Sequence, residues 1–303
     1  MEVSRPVRSS ATTWPPRTAF VLGGGGLLGA AEVGMLHALD DAGIVPDVVL
    51  GTSIGAINGA FFAVYPGADA VAMLEHLWTS DATESVFGAS AWQRMGTIAK
   101  SWTHTHPVEP LRNLLRQHVG DARIEDLSTS FQCVAASIER AAEHWFTEGP
   151  LVDALLATSA VPGLLPPAKV GDEHFVDGGL VHSIPLGRAV ALGARTVYVM
   201  QVGRIERPLE PPRRPWEVAA VSFEIARRHR FAAELAAVPD DVEVHVLPTG
   251  GIAAPAYADT SALKYRDTSR VSERIRMAYR ASLDYLAAQA SVPASRDHAG
   301  PDA

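Results

Sequence analysis

The chain has 303 residues, 47% of them hydrophobic and 20% charged, with a formal net charge of −8 and a single cysteine. That length can bury a large core, as one α/β domain with additions or as two small domains, and the acidic balance argues against nucleic acid as a partner. Cys133 alone leaves no disulfide and no cysteine-based metal site; in the apolar run 131–137 it reads as a buried strand residue in a reducing compartment.

Residues 1–17 are rich in Ser, Thr, Pro and Arg, and no uninterrupted apolar stretch of signal-peptide length precedes Ala19. The expectation is a disordered leader on a cytoplasmic protein. No segment reaches the run of about 20 apolar residues that a spanning helix needs, so membrane contact would be peripheral. Thr18 to Leu22 reads as a short strand, Leu27 to Ala42 as a helix ending near Gly43, and Val48 to Leu50 as the next strand: a βαβ unit with a parallel sheet. Residues 78–110 carry Trp78, Trp92 and Trp102 among polar residues and His104-Thr105-His106, and read as an insertion or lid over the site.

Strands follow at Phe131 to Ser137 and near His144 to Phe146, then a helix from Pro150 to about Ser159. His174 to Asp177 is a further short strand, Val197 to Val202 a late one, and Val242 to Leu247 alternates as the last. Between these, Arg204 to Pro215 is a Pro- and Arg-rich surface connection. The predicted C-terminal helix, Thr268 to Ala288, puts Val271, Ile275, Ala278, Ser282 and Leu286 on one stripe that packs on the body; 291–303 reads as a disordered tail.

Three blocks carry chemistry. Ser53 sits in Gly51-Thr52-Ser53-Ile54-Gly55 between an apolar strand and a small-residue helix, the setting of a nucleophile elbow. The plain alternative is a glycine-rich turn with an N-capping serine. The second block, Gly23 to Gly29, follows the first strand with four adjacent glycines. Unshielded N–H groups at a helix N-terminus can cradle a diphosphate or form an oxyanion hole. Gly24, Gly26 and Gly29 satisfy the dinucleotide fingerprint, so a Rossmann-type oxidoreductase is a rival; it requires a carboxylate at the end of the second strand, and Asp47 precedes that strand instead. The third block delivers Asp177 into the turn Gly178-Gly179.

Together, in this order, the blocks resemble the patatin-like phospholipase family. The segment 157–167 looks like the family's proline-rich stretch ahead of the Asp-Gly-Gly turn, and 180–185 like the stretch after it, with His182 where the family often has Asn. The resemblance spans Thr18 to Val202. It implies a three-layer α/β/α fold with a mostly parallel central sheet, a catalytic domain at 18–202, and a C-terminal helical part at 203–290 packed on the same domain. It also implies a Ser53-Asp177 dyad acting without a cofactor on acyl esters of lipids, with the amides of Gly24, Gly25 and Gly26 as oxyanion donors and Gly29, Gly51, Gly55, Gly178 and Gly179 as motif glycines. The chain departs from the family at Leu28, where Arg or Lys is common. A catalytically weak lipid-binding or regulatory member of the fold is a third reading, favoured by that leucine.

An unactivated serine hydroxyl needs an adjacent base, and a carboxylate serves only if burial raises its proton affinity. A Ser-His-Asp triad is the competitor within hydrolases, with His182, His229 and His245 the candidates by order. None has a supporting motif: His182 reads as a wall or turn residue, His229 as part of a solvated basic face, and His245 as a strand residue. His104 and His106 lack a carboxylate cluster and read as a solvent-exposed loop, so no metal site is expected. Arginine clusters at 213–214, 227–230 and 270–280 read as solvated helix faces in preference to contacts with an anionic bilayer.

Overall fold

Strand β1 (Thr18–Leu22) alternates between two cores, Phe20 and Leu22 facing one and Ala19 and Val21 the other. Strand β2 (Val48–Thr52) does the same with Val49 against Val48 and Leu50, and β7 (Thr196–Met200) with Tyr198 and Met200 against Val197 and Val199. Strands apolar on both sides need helices on both faces, the arrangement of a buried parallel sheet. The computed structural model describes residues 17–65, 67–80, 106–202, 208–251 and 268–291.

The other strands are β3 (Ser130–Ser137), β4 (Ala142–Phe146), β5 (Ala168–Val170), β6 (Glu173–Asp177) and β8 (Glu243–Val246). They join one eight-stranded sheet in the order β5-β6-β3-β2-β1-β7-β8, with β4 paired to β3. Strands β3, β2, β1, β7 and β8 run parallel, and β4, β5 and β6 are antiparallel to their neighbours. The sheet is the mostly parallel one expected from the sequence. Its order reverses at β1, and the crevice beyond the carboxyl ends at such a switch point is where ligands bind in open α/β sheets.

On the face of Phe20 pack α1 (Ala30–Asp41), α2 (Ile54–Val64), α3 (Ala68–Thr79), α4 (Glu109–Val119), α5 (Leu151–Thr158) and, through Val271, Ile275, Ala278 and Leu286, a later helix, Thr268–Ser291. Next in the chain come the single turn α6 (Gly179–His182), α7 (Leu186–Ala191) and α8 (Pro215–Ala236). Leu186 and Ala189 of α7 and Phe231 of α8 cover the opposite face. The helix Thr268–Ser291, here α9, has the buried stripe predicted for it and crosses α1 closely: a Cβ at Gly34 would overlap the Ile275 carbonyl oxygen.

Some expectations give way. The first helix starts at Ala30, because Gly26–Gly29 forms a 3-10 turn with Gly26 at φ 54°. Trp78 belongs to no insertion; it lies in the last turn of α3 and is 3% exposed, on an apolar stripe with Ala70, Val71, Leu74 and Leu77. His106 is buried rather than solvated, its N–H bonded to the Leu164 carbonyl at 2.9 Å. Arg227 is buried too, its guanidinium forked onto Glu224 at 2.7 and 2.8 Å, so α8 is not a purely solvated basic face. Trp92, Trp102, His104 and the predicted leader, tail and lid core lie outside the described residues.

Candidate active site

Strands β2 and β6 meet end to end along one edge of β3. Strand β4 occupies one edge from Cys133 to Ser137, so β2, whose Thr52 pairs with Val134, and β6, whose Asp177 pairs with Ala135, share the other. Because β2 runs parallel to β3 and β6 antiparallel, their carboxyl ends point at each other. Sheet register therefore brings Ser53 to Asp177: Ser53 Oγ donates to Asp177 Oδ2 at 2.6 Å, with both residues buried.

Ser53 holds φ 54° and ψ −125°, a conformation that costs a non-glycine residue about 1 to 3 kcal/mol. Its surroundings fix it there. Its N–H donates to Thr158 Oγ1 at 2.9 Å, and that hydroxyl donates in turn to the Val134 carbonyl at 2.5 Å. The Ser53 carbonyl accepts from the N–H groups of Ala56 and Ile57 as α2 begins. A Cβ at Gly55 would stand 2.5 Å from the Leu22 oxygen and 2.6 Å from the Gly23 oxygen, so only glycine lets α2 pass beneath the glycine loop.

The same end of α5 also holds the acid. The Thr158 carbonyl accepts the Gly178 N–H at 3.2 Å, and the Ala160 carbonyl accepts the Asp177 N–H at 2.9 Å. A Cβ at Gly178 would overlap the Val134 carbonyl oxygen, which explains glycine after the aspartate. Asp177 Oδ1 accepts the Gly179 N–H at 2.7 Å. Burial pushes the Asp177 carboxyl from 3.8 up to about 6, against the opposing pull of the hydrogen bonds from Ser53 and Gly179. A carboxylate so placed can accept a proton from the serine it touches.

The glycine loop runs beside the serine: a Cβ at Gly24 would lie 3.6 Å from Ser53 Cβ. The three expected oxyanion amides are not equivalent. The Gly24 N–H is committed to the Ser183 carbonyl at 2.8 Å, whereas the N–H groups of Gly25 and Gly26 have no partner among the described residues. Under the loop lies a buried polar network. Trp78 Nε1 donates to Asn58 Oδ1 at 3.0 Å, which orients the amide so that Asn58 Nδ2 donates to the Gly29 carbonyl at 3.0 Å and to Glu32 Oε2 at 2.8 Å. Desolvation holds the wholly buried Glu32 carboxyl well above the usual carboxylate range.

No imidazole intervenes in the pair: the serine hydroxyl goes straight to the carboxylate. The His182 ring is buried against Trp145, with Nε2 3.1 Å from Glu234 Oε1, and its carbonyl accepts from Thr52 Oγ1 at 2.7 Å. His245 stacks on Tyr198 from the edge strand β8, and His229 is exposed on α8. Among the described residues, no group of three His, Cys, Asp or Glu side chains could hold a metal ion.

The sequence matches the patatin-like phospholipase family over residues 20–190, more than half of the chain. This chain is a member of that family. It is 32% identical over 187 residues to patatin-like phospholipase domain-containing protein 7 of Rattus norvegicus, a match covering 61% of this chain and 13% of that protein. It is 31% identical over 190 residues to the lysophospholipase nte1 of Aspergillus terreus, covering 62% of this chain and 12% of that one. The chain thus matches only a small part of each relative's length. Among solved structures, VipD of Legionella pneumophila aligns with a TM-score of 0.47 and 12% identity, over 90% of this chain and 67% of that one.

The matched residues 20–190 include the glycine loop, Ser53 and Asp177, and the structure adds residues that motif reading did not assign. Thr158 lies in the segment singled out for its prolines, but its hydroxyl acts through a contact 105 residues away. Glu32, Asn58 and Trp78 are polar or bulky groups on otherwise apolar helix faces, the one signal that marked them.

Proposed function

We propose that the chain is a carboxylic-ester hydrolase acting on acyl esters of lipids, with Ser53 as nucleophile, Asp177 as general base and the amides of Gly25 and Gly26 as oxyanion donors. The observation that carries this reading is the buried 2.6 Å hydrogen bond from Ser53 Oγ to Asp177 Oδ2 at a strained elbow. Asp177 takes the hydroxyl proton as Ser53 Oγ attacks the ester carbonyl, and the negative charge develops on the carbonyl oxygen beside the glycine loop. Collapse breaks the bond to the leaving alcohol, which departs with the proton from Asp177. Water then gives its proton to Asp177 and attacks the acyl carbon; Ser53 recovers a proton as the fatty acid leaves. The Gly24 amide, expected as a third donor, instead ties the loop to Ser183.

The lipid assignment draws on two supports. Relatives carry the names phospholipase and lysophospholipase. Three exposed apolar side chains stand near Asp177: Val161, next to the Ala160 carbonyl that holds it, Leu180 and Phe223 are exposed by 36%, 47% and 38%, and Phe223 lies against Gly179. No helix among the described residues is long and apolar enough to cross a membrane, so contact with a lipid surface would be made by side chains such as these.

The test is fluorophosphonate labelling read by intact mass, with hydrolysis of p-nitrophenyl esters of increasing chain length. Wild type should form one adduct and turn over, and S53A and D177N should do neither. A wild type that gives no adduct and no turnover overturns the assignment.

A further inference from the structure

The glycine loop brings no charge of its own, being built from glycine and leucine from Gly23 to Gly29. A cation reaches it from the other end of the chain. Helix α9, outside the family-matched residues 20–190, is seated on α1 by the close crossing at Gly34. The half-buried Arg274, beside Ile275 at that crossing, donates from Nη1 to the Leu27 carbonyl oxygen at 3.1 Å. The N–H of the same peptide unit, that of Leu28, donates to the Gly25 carbonyl at 3.2 Å.

One peptide is therefore held at both ends, by the guanidinium and by the turn that contains Gly25 and Gly26. A cation on a carbonyl polarises its peptide and strengthens the hydrogen bond made by the N–H of that unit. The guanidinium also places a permanent positive charge against the loop, since arginine does not deprotonate in proteins. We infer that Arg274 is a positioning residue for the oxyanion loop, fixing the Gly25 and Gly26 amides and adding positive potential where charge develops on the substrate. This inference rests on the hydrolase reading above. It predicts that the C-terminal helix is required for catalysis and not for stability alone.

The test compares wild type, R274M, R274K and R276M, the last removing an exposed arginine on the same helix. Each is measured for ester kcat and KM, fluorophosphonate labelling rate and thermal unfolding. R274M should lose about 10- to 100-fold in kcat, less than or similar to deletion of an oxyanion donor, with KM within about twofold. R274K should recover part of the loss, and R276M should match wild type. L28R placed in R274M should restore part of kcat by returning a cation to the loop.

A folded R274M with wild-type kcat and labelling rate overturns the inference, as does an equal loss in R276M or a change confined to KM. If R274M does not unfold cooperatively, R274Q takes its place with the same expected outcomes. Should wild type neither label nor turn over, the hydrolase reading fails and this inference fails with it; an active wild type with an indifferent Arg274 removes this inference only.

Discussion

Thr52 pairs with Val134 and Asp177 pairs with Ala135, so the strand carrying the serine and the strand carrying the acid stop one residue apart on the same edge of β3. The Ser53-Asp177 contact is thus a consequence of backbone register rather than of flexible side chains reaching across a cleft. A one-residue slip of β6 would turn Asp177 to the other face of the sheet. Thr158 and Ala160 guard against it by bonding the N–H groups of Gly178 and Asp177.

The first prediction concerns pH. With the Asp177 carboxyl raised to about 6 by burial, the base form is lost below that value. The logarithm of kcat/KM for a short p-nitrophenyl ester should rise with unit slope up to about pH 6 and level off above it. A profile flat from pH 5 to pH 8 would show that Asp177 is not the base.

The same shift predicts a stability effect. A carboxyl whose folded pKa is raised binds its proton more tightly in the folded state, so stability falls as pH climbs from the unfolded value through the folded one. A shift from 3.8 to about 6 corresponds to roughly 3 kcal/mol, all of it present above pH 6 and absent near pH 3.8. D177N, though inactive, should therefore unfold at higher urea than wild type at pH 8, with the gap closing toward pH 4. Equal midpoints at both pH values would contradict the burial cost.

Thr158 tests the elbow. In T158V the Ser53 N–H loses its acceptor and the Val134 carbonyl its donor, while side-chain volume is nearly kept. Leaving such groups unpaired in the interior costs about 1 to 3 kcal/mol. Stability should fall by that amount and kcat should fall at least tenfold as the serine backbone relaxes, whereas T158S should stay near wild type. A T158V enzyme with unchanged fluorophosphonate labelling would show that the elbow holds itself.

How much of this was legible in the chain follows from the range of the interactions. Strands β1, β2, β3 and β7, the strand-turn-helix around Ser53 and the Asp-Gly-Gly segment are local patterns, and each falls close to where the sequence places it, whereas the short edge strand β5 carries no such pattern. Helix α8 was not legible: Glu224 and Arg227 pair inside the interior, so charge that reads as solvent-facing is buried. Trp78 misleads for a related reason, since a tryptophan among polar residues suggests a surface segment until Asn58 is seen to accept its N–H. The unequal loop amides were likewise invisible, because the Gly24 partner is Ser183, set beside it only by the folded sheet.

Beneath the loop, Glu32 offers the last prediction. Its Oε2 accepts from Asn58, and its Oε1 has no hydrogen-bond partner, so a charge there would be poorly compensated. Burial keeps the carboxyl protonated well above its ordinary range, and the folded state loses stability as pH rises above the unfolded carboxylate value of about 4.3. E32Q keeps an acceptor for Asn58 and cannot ionise, so it should melt at or above wild type, with an advantage that grows with pH, and retain most of kcat. E32A removes the acceptor and leaves a void; it should lose about 1 to 3 kcal/mol or more and loosen the Gly29 end of the loop through Asn58. Thermal unfolding at pH 5 and pH 8, read beside kcat for both variants, checks this. An E32Q protein less stable than wild type at pH 8 would mean that the ionised carboxylate is needed under the loop.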